Sequence, residues 1–358
     1  MTLRQIWRRL HLWIGIAGGI VFALMGLSGS SLVYEEDILS LLYPQILHVP
    51  ADCTPAPPSA LLAAAQAAAT PLNGRVSYLR ILDARDAPIR AAILVPDGST
   101  EIFLLSPCSA AVIGPQPGKA FSQLFELHTR LLLGRDGRAV VGWIGVALML
   151  TAISGLVIWW PRGRQWRRAL QIQWNFGWFR RFLDLHKVAG ALIAIPFLLQ
   201  AITGAAIAFR EPLLPAMLAL GGSNPVRLPP ASIDPPRDID QMAAEALRLL
   251  PGGRITLISP PARTDGPVRI RLRMPGEVHQ NGRSYVLFNA RGAVIEQQNA
   301  PALPVANIAF DQLPYPLHTA ELTGPIGRLL LFVTGLLPTL LFGTGFYIWL
   351  KRRTPKRT

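Results

Sequence analysis

Residues 127–162 read LHTRLLLGRDGRAVVGWIGVALMLTAISGLVIWWPR, and residues 317–353 read LHTAELTGPIGRLLLFVTGLLPTLLFGTGFYIWLKRR. Each opens at a histidine, His128 or His318, on the edge of an apolar run. Counted from the histidine, both carry Gly at +6, +9, +17 and +27, Arg at +10 (Arg138, Arg328) and Trp at +31 (Trp159, Trp349). A second pair of stretches repeats in the same way. RRLHLWIGIAGGIVFALMGLSGS (8–30) and FLDLHKVAGALIAIPFLLQAITGA (182–205) carry His11 and His186 and share Gly at +4 and +18. The chain is an internal duplication, and four of its six histidines are placed by it.

The apolar runs decide the fold class. A helix crossing a bilayer needs about 20 predominantly apolar residues. Four runs qualify, at 12–33, 139–160, 188–209 and 326–350. With 51% hydrophobic residues and a mean hydropathy of +0.33, the composition excludes an ordinary soluble protein. The first run is longer than a signal-peptide core, and its repeat at His186 is internal, so it is read as a retained span.

The net charge of +14 is not spread evenly. Residues 1–10, 161–187 and 351–358 hold 15 Lys and Arg and one acid, Asp184. The remainder holds 20 basic and 20 acidic residues. Basic residues collect on the cytoplasmic side of membrane proteins. Both termini and the 161–187 loop are therefore expected in the cytoplasm, with the two long segments, 34–138 and 210–325, facing outward. Charge that flanks spans, rather than covering a folded domain, argues against a nucleic-acid partner.

The outward segments look alike. SALLAAAQAAAT (59–70) and DIDQMAAEALRLL (238–250) read as helices. Strands are expected at 75–82, 88–95 and 100–106, and again at 253–259, 267–274 and 283–289, from their alternating apolar residues and Gly/Pro/Asp punctuation. Pro-rich connectors at 49–59, 223–236 and 299–316 frame these units. Cys53 and Cys108 both fall in the first outward segment. A disulfide is the expectation in an oxidising compartment, and two separate thiols the alternative. No CxxC, CxxCH or Cys/His zinc pattern occurs. The 161–187 loop interleaves Arg with Trp166, Trp174, Phe176, Trp178 and Phe179, a composition suited to the lipid interface.

The histidines carry the chemistry. His11 and His186 sit where spans meet the inner surface, and His128 and His318 precede spans at the outer surface. Two helices that each supply one imidazole at matched depth can ligate a haem iron from both faces. Gly at +4 leaves room beside an axial imidazole for a flat macrocycle. Two haems are the expectation, with His11/His186 as the inner ligands and His128/His318 as the outer ones. Arg138 and Arg328 are candidate partners for haem propionates, because a guanidinium fork matches a carboxylate. The alternative is that they anchor the span ends. His48 and His279 have no repeat partner and are read as surface residues. Arg130, Tyr315 and Glu321 lie near the outer histidines and are weaker candidates for acceptor contacts.

WRRLHLWIG (7–15), LHTRLLLGRDGR (127–138), ISGLVIWWPR (153–162), LDLHKVAG (183–190), LHTAELTG (317–324) and TGFYIWLKRR (344–353) together resemble the PepSY-associated transmembrane family, whose members are also labelled iron-regulated membrane proteins. The resemblance runs over essentially the whole chain. It implies an α-helical integral membrane protein, a four-helix transmembrane bundle carrying two periplasmic α+β PepSY-like domains. In this sequence the parts would be the N-terminus and first span (1–33), the first periplasmic domain (34–127), an outer ligand with the second span (128–160) and the basic loop (161–187). The third span (188–209), the second periplasmic domain (210–317), an outer ligand with the fourth span (318–350) and the tail (351–358) would follow.

The resemblance further implies two b-type haems with bis-histidine ligation in a bacterial inner membrane. Electrons would pass from a cytoplasmic-side donor, such as a flavin, a reductase or quinol, to a ferric siderophore. A siderophore or iron permease is one alternative, although such a path needs polar residues that these spans largely lack. A non-catalytic sensor built on the PepSY-like modules is the other. No GxGxxG after a strand and no P-loop occurs, so the chain offers no nucleotide site of its own.

Overall fold

The structure is a computed structural model of the chain. It describes residues 1–49, 53–82, 86–161, 163, 165–220, 226–227, 235–263 and 265–353. Most of the 223–236 connector, part of the 49–59 connector, Arg162 and Arg164 of the basic loop and the tail beyond 353 lie outside these residues. The helices used below are α1 (Leu3–Val33), α2 (Pro58–Ala69), α3 (Lys119–Arg130), α4 (Gly134–Trp159), α5 (Trp178–Ala208), α6 (Ile239–Leu249), α7 (Pro314–His318) and α8 (Gly324–Arg353). The strands are β1 (Arg75–Arg80), β2 (Ile89–Leu94), β3 (Thr100–Leu105), β4 (Val112–Pro115), β5 (Val226–Arg227), β6 (Arg254–Ser259), β7 (Val268–Arg273), β8 (Ser284–Phe288) and β9 (Val294–Gln298). The chain divides into a helical unit (1–35, 120–213, 314–358) and a sheet unit (36–119, 214–313).

In the helical unit, α1, α4, α5 and α8 are each long and apolar enough to cross a membrane. Ile195 (76% exposed), Ile326 (75%) and Trp143 (66%) stand on their outer faces, where only lipid would bury them. The chain is thus an α-helical, multi-pass membrane protein. The helices outrun the apolar windows, because the backbone ladder continues through the polar ends. At the start of α1 the N–H of Thr2 donates to Oε1 of Gln5 at 2.8 Å, occupying a donor that the helix start leaves open. Around the bundle, α1 packs on α8 and α4, and α5 packs on α4 and α8.

Small residues make the close contacts, as bilayer packing requires. A methyl group on Gly145 of α4 would stand 3.2 Å from the Ala201 carbonyl of α5. Its duplicate, Gly335 of α8, abuts Gly26 and Ser30 of α1. Pro196 and Pro338 lie within α5 and α8, which membrane helices tolerate when neighbours satisfy the freed backbone groups. At the base of α5, Asp184, the lone acid of the basic segments, is fully buried. It pairs with Arg180 at 2.7 Å and Lys187 at 3.0 Å and accepts the N–H of Gln173 at 3.3 Å. The acid thereby ties the 166–177 loop to the helix that carries His186.

The sheet unit is one nine-stranded sheet in the order β4-β3-β2-β1-β6-β7-β8-β9-β5. The two duplicated segments each supply four neighbouring strands of it. They join through β1 and β6, antiparallel, with Leu79 opposite Ile258. The expected strands are all present. The stretches SPCSAAVIG and NARGAVIEQ each add a turn and a fourth strand, β4 and β9. The duplication extends to irregularities: β1 and β6 each carry a bulge, at Val76/Tyr78 and Ile255/Leu257. One helix covers each half. Leu61 and Ala65 of α2 bury against Leu79, Ile89, Leu105 and Ile258. Met242, Ala243 and Ala246 of α6 bury against Ile270, Val286 and Phe288. Asp238 caps α6, accepting the N–H of Gln241 at 2.8 Å, while Gln241 accepts that of Asp238 at 3.0 Å. Ser59 at the start of α2 donates its N–H (2.9 Å) and hydroxyl (2.5 Å) to Asp240, linking the two helix starts. Cys53 is disulfide-bonded to Cys108 in the β3–β4 turn, with 5.8 Å between Cα atoms. Glu277 accepts backbone N–H groups from Met274, Arg283 and Ser284 at the β7–β8 hairpin. Burial pushes its carboxyl above the ordinary range, and those hydrogen bonds pull the other way.

Candidate functional site

The four duplicated histidines meet in two pairs. His11 of α1 faces His186 of α5, with ring centroids 6.2 Å apart. His128, near the end of α3, faces His318, the last residue of α7, at 6.1 Å. His11 and Ser28, which touches His128, are 17 residues apart on α1, so the two levels lie about 26 Å apart along the helix.

Each ring sits in a socket of the same construction on a neighbouring helix. His11 Nδ1 lies 3.1 Å from both the Thr151 carbonyl and Ser154 Oγ of α4. His186 Nδ1 lies 3.0 Å from Thr344 Oγ1 of α8. His128 Nδ1 is 3.0 Å from the Met25 carbonyl and 3.3 Å from Ser28 Oγ of α1. His318 Nδ1 is 3.0 Å from Thr203 Oγ1 of α5. The hydroxyls are already committed as donors. Ser28 donates to the Leu24 carbonyl at 2.7 Å, Ser154 to that of Thr151 at 3.0 Å, Thr203 to that of Leu199 at 2.7 Å and Thr344 to that of Leu340 at 2.8 Å.

A hydroxyl has one proton to give. At His11 and His128 the carbonyls of Thr151 and Met25 can only accept, which puts the ring proton on Nδ1 and the lone pair on Nε2, and the matching sockets of His186 and His318 suit the same tautomer. Among the described residues no hydrogen bond reaches the Nε2 of any of the four. This is the tautomer that ligates a metal, with the other nitrogen donating to a fixed acceptor.

The residue after each hydroxyl is glycine. A methyl group on Gly29, Gly204, Gly155 or Gly345 would stand 2.8, 3.0, 3.2 or 3.1 Å from Cε1 of His128, His318, His11 or His186 respectively. The glycines at +18 and +27 therefore floor the histidine sockets. All four glycines at +18 and +27 follow a Ser or Thr, at 28–29, 154–155, 203–204 and 344–345, whereas at +6 and +17 only one copy of each repeat does. Reading the residue before each repeated glycine was the signal that would have found Ser28, Ser154, Thr203 and Thr344. The glycines at +4 do not touch the rings. A methyl group on Gly15 meets no atom within 4 Å, and one on Gly190 meets only Leu341 at 3.8 Å.

The donor set fits a haem. A metal–imidazole bond of about 2 Å on each side puts two ring centroids about 6 Å apart. Among the described residues no cluster of three or more His, Cys, Asp or Glu accompanies either pair. A bare ion that wants four protein ligands is thus poorly served, whereas an iron that brings four equatorial nitrogens needs two axial ones.

Arg138 and Arg328 occupy duplicated positions as well. Arg138 donates to the Ile207 carbonyl at the end of α5 at 2.8 Å and lies 3.5 Å from Glu211. Arg328 donates to the Val33 carbonyl at the end of α1 at 2.7 Å and lies over the Tyr34 ring at 4.8 Å. Each caps the C-terminus of a span from the other half of the chain, where a cation is favoured. Arg130 pairs with Glu126 one turn back, at 2.8 Å. Of the unduplicated histidines, His48 is half-exposed and bonded to Ser40 and Asp86, each at 2.7 Å. His279 is not a surface residue: it is 3% exposed, with Nδ1 accepting the N–H of Asn281 at 3.1 Å. It serves the β7–β8 hairpin, which sequence position alone did not show.

No curated protein matches the chain. The model of one family, described as the PepSY-associated TM region, matches residues 8–352, and this span contains all four paired histidines and their sockets. The chain belongs to the PepSY-associated TM family.

Proposed function

We propose that the protein is a di-haem b-type cytochrome of the bacterial inner membrane that passes electrons outward. The supporting observation is the pair of bis-histidine sites, 6.2 and 6.1 Å across, each with Nδ1 engaged and Nε2 unbonded. A bound haem supplies a one-electron Fe(III)/Fe(II) couple. The chain's own part is to present two neutral imidazoles per site in fixed orientation and to exclude water with apolar helices. His11 and His186 hold the inner site, and His128 and His318 the outer one. Two levels about 26 Å apart suit a hydrocarbon core of about 30 Å, which a single site could not bridge.

The orientation follows from charge. With the basic segments inside, both termini are cytoplasmic and the sheet unit is periplasmic. Arg138 and Arg328, at the outer level, are the proposed partners for the propionates of the outer haem. The donor is a separate reduced molecule on the inner side. The acceptor proposed is Fe(III) in a siderophore, a reading supported by family resemblance alone. Reduction lowers the charge on iron, weakens its hold on oxygen ligands and frees it for uptake. The enzyme class would then be a transmembrane ferric-siderophore reductase.

The visible spectrum and haem content of detergent-purified protein test the first step. A reducible b-type spectrum with two haems per chain is expected, and a content near zero in haem-replete cells overturns the proposal. Dithionite-reduced protein mixed with ferric siderophore and an Fe(II) chelator tests the acceptor. Reoxidation by another periplasmic oxidant but by no ferric siderophore would retain the relay and reject the acceptor.

A further inference from the structure

The two histidine pairs share their chemistry and their span but not their twist. The ring planes of His11 and His186 make an angle of 88°, and those of His128 and His318 only 40°. These angles are set by the chain. An imidazole in a socket has two fixed points in its plane: Nδ1, tied to a hydroxyl or carbonyl, and Cε1, pressed on a glycine. With Cβ anchored to its own helix, the ring has no rotation left. On the inner level the sockets are Ser154-Gly155 on α4 and Thr344-Gly345 on α8. On the outer level they are Ser28-Gly29 on α1 and Thr203-Gly204 on α5.

From this we infer that the Ser/Thr-Gly sockets make the two sites electronically different, the inner one holding its axial imidazoles crossed and the outer one holding them closer to parallel. This rests on the di-haem reading and adds to it the residues that set the identity of each site. An axial imidazole donates π density into the iron d orbital that lies across its ring plane. Two parallel rings load one of the two dπ orbitals and split the pair. Two crossed rings load both equally and leave them nearly degenerate. Near-degeneracy makes the g tensor of low-spin Fe(III) strongly anisotropic and removes a stabilisation of the ferric state. Hydrogen bonds to the non-ligating nitrogen of a ligating ring are an established lever on such sites. Ser154 and Thr344, with Ser28 and Thr203, are therefore positioning residues rather than ligands.

The test uses full-length haem-loaded protein, electron paramagnetic resonance of the oxidised form and a potentiometric titration. Two low-spin ferric signals and two midpoint potentials are expected, one signal having its low-field feature shifted to distinctly larger g. His186→Ala should delete that shifted signal, and His318→Ala should delete the other. Thr344→Val should move only the shifted signal and its potential, with the haem count unchanged, and Thr344→Ser should restore both. Thr203→Val should move only the second signal. Two haems that give a single superposed signal and one potential overturn the inference while leaving the di-haem reading intact. So does loss of the shifted signal in His318→Ala, or a Thr344→Val protein whose signals both move or both stay. Protein that binds no haem overturns both readings.

Discussion

The inner and outer histidine pairs reach the same separation by different routes. His11 and His186 are carried within unbroken spans, α1 and α5, so helix packing alone places them. His128 and His318 ride on the short helices α3 and α7, each separated from its span by a tight turn. Those turns use left-handed backbone at Leu131 (φ 52°), Leu132 (φ 59°) and Gly134 (φ 63°), and again at Ala320 (φ 59°) and Gly324 (φ 62°). Left-handed backbone costs an L-residue about 1–2 kcal/mol, and glycine escapes the cost. Each site is therefore vulnerable in a different place. The inner site depends on four packed helices, and the outer site also depends on two strained corners.

The largest effect expected is the loss of one site with retention of the other. His11→Ala or His186→Ala should remove the inner haem, and His128→Ala or His318→Ala the outer one, each halving haem per chain. If His11→Ala and His128→Ala delete the same spectral component, the pairing drawn here is wrong. Next comes the sheet unit as a control on both. Closing the 55-residue separation between Cys53 and Cys108 contributes about 4 kcal/mol in the chain-entropy model. Cys53→Ser should lower the stability of the sheet unit by that order, read by amide hydrogen exchange of β1–β4, while both haem signals persist.

A smaller effect should separate the two levels themselves. Gly134→Val or Gly324→Val places a β-branched residue at positive φ and should destabilise the outer corner by about 1–2 kcal/mol. Haem loss during detergent purification should then be confined to the outer site. An equal loss from the inner site would show that the corners do not act locally. The smallest effect concerns Glu277. Its carboxyl is held above the ordinary range by burial, so its contribution to folding is full below the unfolded-state value and declines as pH rises through the folded-state value. Melting temperature followed across mildly acidic to neutral pH should fall less steeply in Glu277→Gln. An unchanged slope would mean that Glu277 stays ionised in the fold.

Much of this was legible along the chain. The four runs marked the spans, and two of the helices start well before them: Leu3–Val33 against 12–33, and Trp178–Ala208 against 188–209. Hydropathy sees side chains, whereas the helix ends where backbone bonding ends, so the basic turn at Arg180 and Arg181 escaped an apolar window. The glycines at +18 and +27 stood out as repeats, but their purpose did not. Only the packing shows that Gly29 and Gly204 meet the outer rings while Gly155 and Gly345 meet the inner ones. The arginines at +10 were legible as a pair. That each caps a span of the opposite half follows from the crossing of helices distant in sequence.

Local patterns along the chain were enough to set the number of spans, the duplication, the four histidines and the segments that carry the excess charge. Each of these is written in local periodicity, composition or repeat spacing, which the linear chain holds without folding. Contacts between distant parts of the chain were needed for the two strand-bearing segments to merge into one sheet through Leu79 and Ile258, for each ring to be seated on a Ser/Thr-Gly step, and for the two pairs to differ in the angle between their rings. Those are angles and contacts between residues tens to hundreds of positions apart. Hydrogen-bond geometry and close packing fix them only once the helices and strands have met.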